Sequence, residues 1–88
     1  MTYEIEWAAS ALRELRKLDH HATRRVLVAV SKLATDPRPP SSRALSGQPG
    51  SMLRLRIGDY RVIYHAEDQR LVITVVRVPR RREAYRDL

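Results

Sequence analysis

Residues 53–78 read LRLRIGDYRVIYHAEDQRLVITVVRV, and the order of apolar and charged positions in this stretch decides the fold. Leu53, Leu55 and Ile57 alternate with Arg54 and Arg56, the period-two pattern of a half-buried strand. Gly58-Asp59 is a two-residue loop that permits positive φ and suits a tight hairpin. Tyr60 to Ala66 is the returning strand, and Glu67 to Arg70 turns the chain again. Leu71 to Val78 is apolar on both faces, as expected of a strand well inside a sheet, and Pro79 ends it. This loop pairs residue 57 with 60, 56 with 61, 55 with 62 and 54 with 63, and directly opposed residues share a face. Leu53, Leu55, Ile57, Tyr60, Val62 and Tyr64 therefore fall on one face, which must meet helices. Arg54, Arg56, Arg61 and His65 fall on the other, with no carboxylate expected in the paired region.

Working outward, Tyr3, Ile5 and Trp7 alternate with Thr2, Glu4 and Glu6, which predicts a first strand. A helix opens near Ser10: Ala8, Ala11, Leu12, Leu15 and Leu18 recur at helical spacing while Arg13, Glu14, Arg16 and Lys17 face out. Asp19 caps a second amphipathic helix marked by Ala22, Val26, Ala29, Val30 and Leu33, which Asp36-Pro37 stops. The short break at Asp19 to His21 makes the helices an antiparallel pair. Residues 36–50, DPRPPSSRALSGQPG, hold four of the five prolines and read as a long crossover loop with Leu45 tucked under it. The expected order is β-α-α-β-β-β. The fold class is α+β, a twisted, mainly antiparallel sheet with the helix pair on one face.

A chain of 88 residues is expected to be one domain, residues 1–88, with a small core that buries about 60–65% of the unfolded surface. With no cysteine there is no disulfide framework and no thiolate metal site, and three scattered histidines lack metal-ligand spacing. No apolar run is long enough to span a membrane, and Met1 to Trp7 lacks the basic start and apolar stretch of a signal peptide. A cytoplasmic setting is expected. The net charge is +7, and of the 17 basic residues only Lys17 and Lys32 are lysines. Such a chain favours a polyanion.

Where the arginines sit gives that charge its chemistry. Arg56 and Arg61 are directly opposed, and like charges there cost about 0.2–1 kcal/mol. A run of arginines on one face suits a phosphate chain, because guanidinium forks hydrogen-bond phosphate oxygens two at a time. The tail adds Arg80, Arg81, Arg82 and Arg86, with Tyr85 among them. An aromatic amid arginines is an arrangement for stacking on the bases of single-stranded nucleic acid. The competing explanation is a solvated basic face with no ligand.

The run of residues 53–86, LRLRIGDYRVIYHAEDQRLVITVVRVPRRREAYR, resembles the C-terminal half of the RelE/ParE superfamily of toxin–antitoxin toxins, its RelE branch most. YEIEWAASALRELRKLD at the start and LSGQPG in the loop also match, so the resemblance covers nearly the whole chain. It implies a microbial-RNase-like fold and a metal-independent endoribonuclease, without a cofactor, that enters the ribosomal A site and cuts messenger RNA. A cognate antitoxin would neutralise it, and the pair would assemble further on operator DNA. By motif, Arg54 matches a basic position on the first hairpin strand and Arg61 the arginine of GDYR. Arg81 matches an arginine just after the last strand, and Tyr85 the tyrosine that stacks on the substrate base. Two positions depart from the pattern. Met52 stands where a second basic residue is common, and Pro79 replaces the usual glycine, which is expected to re-aim Arg80 and Arg81.

Cleavage by the substrate's own 2′-OH needs a base, stabilisation of the phosphorane charge and an acid for the leaving oxygen. Arginine is a poor acid or base with a pKa above about 12, so Arg54, Arg61 and Arg81 are expected to act as electrostatic clamps. Arg56, Arg80, Arg82 and Arg86 would bind the RNA backbone. His65 and Glu83 are the titratable candidates for proton transfer. His20 and His21 read as surface residues, and Trp7, Tyr3, Tyr60 and Tyr64 as core. Two alternatives stay open: a ParE-like poison of DNA gyrase on the same fold, and a non-catalytic basic module that binds nucleic acid.

Overall fold

The computed structural model describes residues 2–45 and 52–79. The elements run β1 (Glu4–Trp7), α1 (Ala9–Arg16), α2 (His20–Leu33), β2 (Ser42–Ala44), β3 (Met52–Ile57), β4 (Tyr60–Glu67) and β5 (Val72–Arg77). They form an α+β fold whose five-stranded sheet has the order β1-β5-β4-β3-β2. Among the described residues only the β1–β5 pair is parallel.

The hairpin register is the one its loop dictates, from Ile57↔Tyr60 through Arg56↔Arg61 and Leu53↔Tyr64 to Met52↔His65. Of the two loop residues, Gly58 takes φ +56° and Asp59 does not take a positive φ, which fits a type II′ loop with glycine at its first central position. β5 continues the sheet with one irregularity. Tyr64 faces Val75 but Ile63 faces Arg77, so Val76 is an inserted, bulged residue.

Alternation sets the core. Leu53, Leu55, Ile57, Val62, Tyr64, Ile73 and Val75 bury one sheet face against Ala11, Val26, Val30 and Leu33 of the helices. Tyr3, Ile5 and Trp7 pack at its margin while Glu4 and Glu6 stay exposed, as their period-two pattern predicts. α1 packs on β5 and α2 against β3. Asp19 caps α2 by accepting from the Ala22 amide at 2.8 Å. Ala8, the N-cap of α1, offers no side-chain cap, and Ser10 instead ties that helix to the Val76 carbonyl at 2.7 Å. Among the described residues no helix is long and apolar enough to cross a membrane.

Two expectations need correction. The stretch 36–50 is not loop throughout, since Ser42–Ala44 forms the edge strand β2, with Ser42↔Leu55 and Arg43↔Arg54 in register. Three residues are too few to show a period, and the prolines around them mask the strand. Leu45, expected under the loop, is half-buried and donates its amide to the Met52 carbonyl at 3.1 Å. Glu14, expected to face solvent, instead grips the end of β5. It accepts from Arg77 Nε at 2.8 Å, Arg77 Nη2 at 3.0 Å and the Val78 amide at 2.9 Å. Burial works against its ionisation, but the Arg77 guanidinium and the Val78 amide outweigh it and hold the carboxyl below its ordinary value.

The segment between α2 and β2 is pinned to the sheet. Arg38 makes a bidentate pair with Asp68 at 3.1 and 2.9 Å, and Tyr3 Oη donates to the same carboxylate at 2.7 Å. These two hydrogen bonds, Arg38's first, lower the Asp68 pKa. Tyr64 Oη donates to the Pro37 carbonyl at 2.7 Å, and burial pushes this phenol's pKa up. β2 can therefore lie beside β3 although only three residues define it.

Candidate nucleic-acid interface

The helices cover one face of the sheet and leave the other open. On the open face, Arg43 of β2 stands beside Arg54 of β3, and Arg56 stands beside Arg61 of β4. Paired Cα atoms lie about 4.5–5.5 Å apart, and residues two apart on a strand about 6.6 Å. These four arginines line one groove of about 670 Å³ together with Ser41, Gly58 and Asp59. The sheet thus concentrates four guanidinium groups, and no carboxylate lies among the β3–β4 pairs, as expected. Asp59 reaches the groove from the loop, and Glu67 follows His65 on the open face.

Exposure differs among the four. Arg43 and Arg56 are exposed, Arg54 is half-buried, and Arg61 is 6% exposed. A buried guanidinium acts on an anion through less water, so its field is less screened than that of a surface arginine. The Arg61 amide donates to the Pro79 carbonyl at 3.0 Å, which fixes where the chain leaves β5. Pro79 itself is fully buried. Its carbonyl, rather than the N–H it lacks, makes the contact, so proline is compatible with this position.

Arg43 was not among the residues singled out from the sequence. Its only signal is an arginine between a serine and an alanine in a proline-rich stretch, and the pairing with Arg54 gives it meaning. Its Nη1 lies 3.0 Å from the Pro40 carbonyl and 2.9 Å from the Ser42 carbonyl, which holds the guanidinium at the rim.

Of the residues expected to act together, the structure brings Arg54, Arg56 and Arg61 into one groove. His65 shares their face but lies four residues along β4 from Arg61, about 13 Å at strand rise. It pairs with Met52, and its Nδ1 is 3.7 Å from Glu67 Oε1. It is not in the groove lining. Arg80, Arg81, Arg82, Glu83, Tyr85 and Arg86 lie outside the described residues. Tyr64 is core, Trp7 and Tyr3 pack against the core, and His20 and His21 are exposed.

A mixed, mostly antiparallel sheet with two helices is the α+β fold of the RelE structures. The chain matches, over residues 5–85, the model of the ParE toxin of type II toxin–antitoxin systems, and it belongs to that family and to the RelE/ParE superfamily. A RelE-like toxin protein of Escherichia coli is 28% identical over 81 residues, covering 92% of this chain and 85% of that protein. The archaeal RelE–RelB complex from Pyrococcus horikoshii contains a chain 30% identical, with a TM-score of 0.80 and coverage of 92% and 97% of the two chains. The toxin–antitoxin complex RelBE2 from Mycobacterium tuberculosis matches the fold with a TM-score of 0.81 at 23% identity, over 92% of this chain and 93% of that one. The protein is a toxin of a toxin–antitoxin system.

Proposed function

We propose that this toxin is a ribosome-dependent endoribonuclease that cuts messenger RNA in the A site, in the cytoplasm, and so arrests translation and growth. The observation that carries this reading is the convergence of Arg54, Arg56 and Arg61, with Arg43, in one groove on the sheet face that the helices leave open. Its relatives of known name and structure are RelE-like, which supports the RNA-cutting branch. The RelBE2 and archaeal RelE–RelB structures are complexes with antitoxins, which supports a cognate antitoxin as partner; assembly of the pair on operator DNA is part of the proposal.

The chemistry is attack of a 2′-oxygen on the adjacent phosphorus with loss of the 5′-oxygen. Negative charge builds on the non-bridging oxygens, and fixed guanidinium groups stabilise it without reorganising at the moment of reaction. Arg61, buried and fixed by its strand, is the central clamp, and Arg54 holds the phosphate from the next strand. Arg56 and Arg43 bind flanking phosphates. Arg81, two residues after Pro79 in the sequence, joins the clamp in this proposal. Arg80, Arg82 and Arg86 add backbone contacts, and Tyr85 stacks on a base, worth about 1–3 kcal/mol. Among the described residues the groove lining holds no histidine and one carboxylate, Asp59, so proton transfer falls to Glu83, to Tyr85, to His65 or Asp59, or to groups of the ribosome. Dependence on the ribosome follows from this poverty of acids and bases, since a preorganised message needs mainly charge stabilisation.

Arg61→Ala and Arg81→Ala should each lower cleavage of ribosome-bound message by about 100-fold or more and abolish growth arrest. Antitoxin co-purification should be retained, with circular dichroism showing an intact fold. Arrest that persists in a folded Arg61→Ala/Arg81→Ala double variant would contradict the proposal. The family-model match favours a second reading, a ParE-like gyrase poison. That reading predicts DNA damage with intact messages.

A further inference from the structure

Asp68 sits in the turn between β4 and β5, seven residues beyond Arg61 and about 23 Å from it at strand rise. It does not line the arginine groove. Its carboxylate nevertheless gathers the approaches to both edges of the sheet. Tyr3, just before β1, donates its hydroxyl at 2.7 Å. Arg38, four residues before β2, donates two hydrogen bonds at 3.1 and 2.9 Å. A bidentate pair fixes direction as well as distance.

The chain from Arg38 to Arg43 is short and stiff. It reads RPPSSR. Pro39 and Pro40 have fixed φ, and each restricts the residue before it, so Arg38 and Pro39 have little freedom. The Ser42 amide and hydroxyl both donate to the Pro39 carbonyl, at 2.9 and 2.7 Å. Arg43 Nη1 donates to the Pro40 carbonyl at 3.0 Å. Beyond this strap, β2 has three residues to hold it, paired with β3 from Ser42↔Leu55 to Ala44↔Leu53. Ser41 and Arg43, one within the strap and one at its end, both line the arginine groove. A displacement of Arg38 is therefore passed on to Arg43.

We propose that Asp68 is a positioning residue for the arginine groove: through Arg38 and the proline strap it holds Arg43 beside Arg54, and Tyr3 in turn holds Asp68. The role in RNA binding rests on the reading of the groove given above; the anchoring of β2 does not. Bulk electrostatics predicts the opposite sign for the same substitution. Asp68→Asn raises the net charge from +7 to +8, which by itself tightens binding of a polyanion. Loss of positioning weakens it. The effect is modest, because the side chains of Arg38 and Asp68 are 43% and 54% exposed and exposed ion pairs contribute little.

The test uses the full chain and a fluorescent single-stranded RNA of about 12 nucleotides. Asp68→Asn should weaken RNA binding about threefold and lower the slope of log affinity against log salt by up to about 0.7, the share of one phosphate contact. In an Arg43→Ala background the same change should alter affinity by less than about 1.5-fold, because its target is gone. Amide hydrogen exchange reads the anchor without RNA. The Ser42 and Leu45 amides, bonded to the Pro39 and Met52 carbonyls, should exchange at least about threefold faster in Asp68→Asn. The Arg61 amide, bonded to the Pro79 carbonyl, should not change. Tyr3→Phe keeps the ring and the net charge and removes one hydrogen bond to Asp68. It should give the same pattern at smaller size, and it decides the matter if Asp68→Asn fails to fold. Unchanged or tighter RNA binding by a folded Asp68→Asn overturns the proposal. So does an equal loss in the Arg43→Ala background, or unchanged exchange at Ser42 and Leu45. Faster exchange at those amides in a protein whose parent binds no RNA upholds the anchor and removes the RNA reading instead.

Discussion

Gly58 takes φ +56° at the hairpin tip, and a Cβ there would lie 2.9 Å from the Arg25 guanidinium. The guanidinium is the far end of a flexible side chain and can move, so the backbone conformation sets the cost of a substitution. Gly58→Ala should destabilise the fold by about 1–2 kcal/mol, the penalty of a left-handed L-residue, read as a lower urea midpoint at unchanged slope. Glu14 makes a different prediction. Its folded pKa is lowered, so its contribution is complete above the ordinary value of 4.5 and is lost as pH falls through the lower folded value. Glu14→Gln should cost about 1 kcal/mol at neutral pH, the difference between charged and neutral hydrogen bonds. The parent and variant stabilities should converge in acid, and a constant gap across that range would contradict the account. The sequence placed Gly58 correctly because a two-residue loop between alternating strands asks for it. Glu14 was read as solvent-facing because helical periodicity counts apolar positions and does not see an arginine 63 residues away.

At the scale of elements, strands with a strong period were legible and the one without was not. β1, β3, β4 and β5 follow from alternation or a continuous apolar run, and α1 and α2 from 3.6-residue spacing with Asp19 as cap. The register of β3 on β4 follows from the loop length, and with it the convergence of Arg54, Arg56 and Arg61. β2 has three residues, and its position comes from tertiary constraints: the Arg38–Asp68 pair, the Tyr64–Pro37 hydrogen bond and pairing with β3. Arg43 entered the site only with that strand. If Arg43 contacts a phosphate, Arg43→Ala should weaken single-stranded RNA uniformly across sequences and reduce the slope of log affinity against log salt by about 0.7. A sequence-dependent loss with an unchanged slope would place Arg43 on bases or outside the interface.

At the scale of the whole molecule, the sheet divides the labour. One face is filled by the helices and supplies a core. The other carries arginines at its β2–β3 side and the exposed Glu4 and Glu6 at its β1 edge. Under the proposed function this polarity would steer a polyanion towards the arginine groove and away from the opposite edge. Core residues and groove arginines alternate along the same strands, and a one-residue slip of β3 would exchange them. The claim on which the function rests is that these guanidinium groups act on a message held in the ribosome. The most direct measurement is primer extension on messages from cells expressing the toxin without antitoxin, for the parent and Arg61→Ala. Discrete new ends within translated codons, absent from Arg61→Ala, are the predicted result. Intact messages accompanied by broken DNA would contradict it.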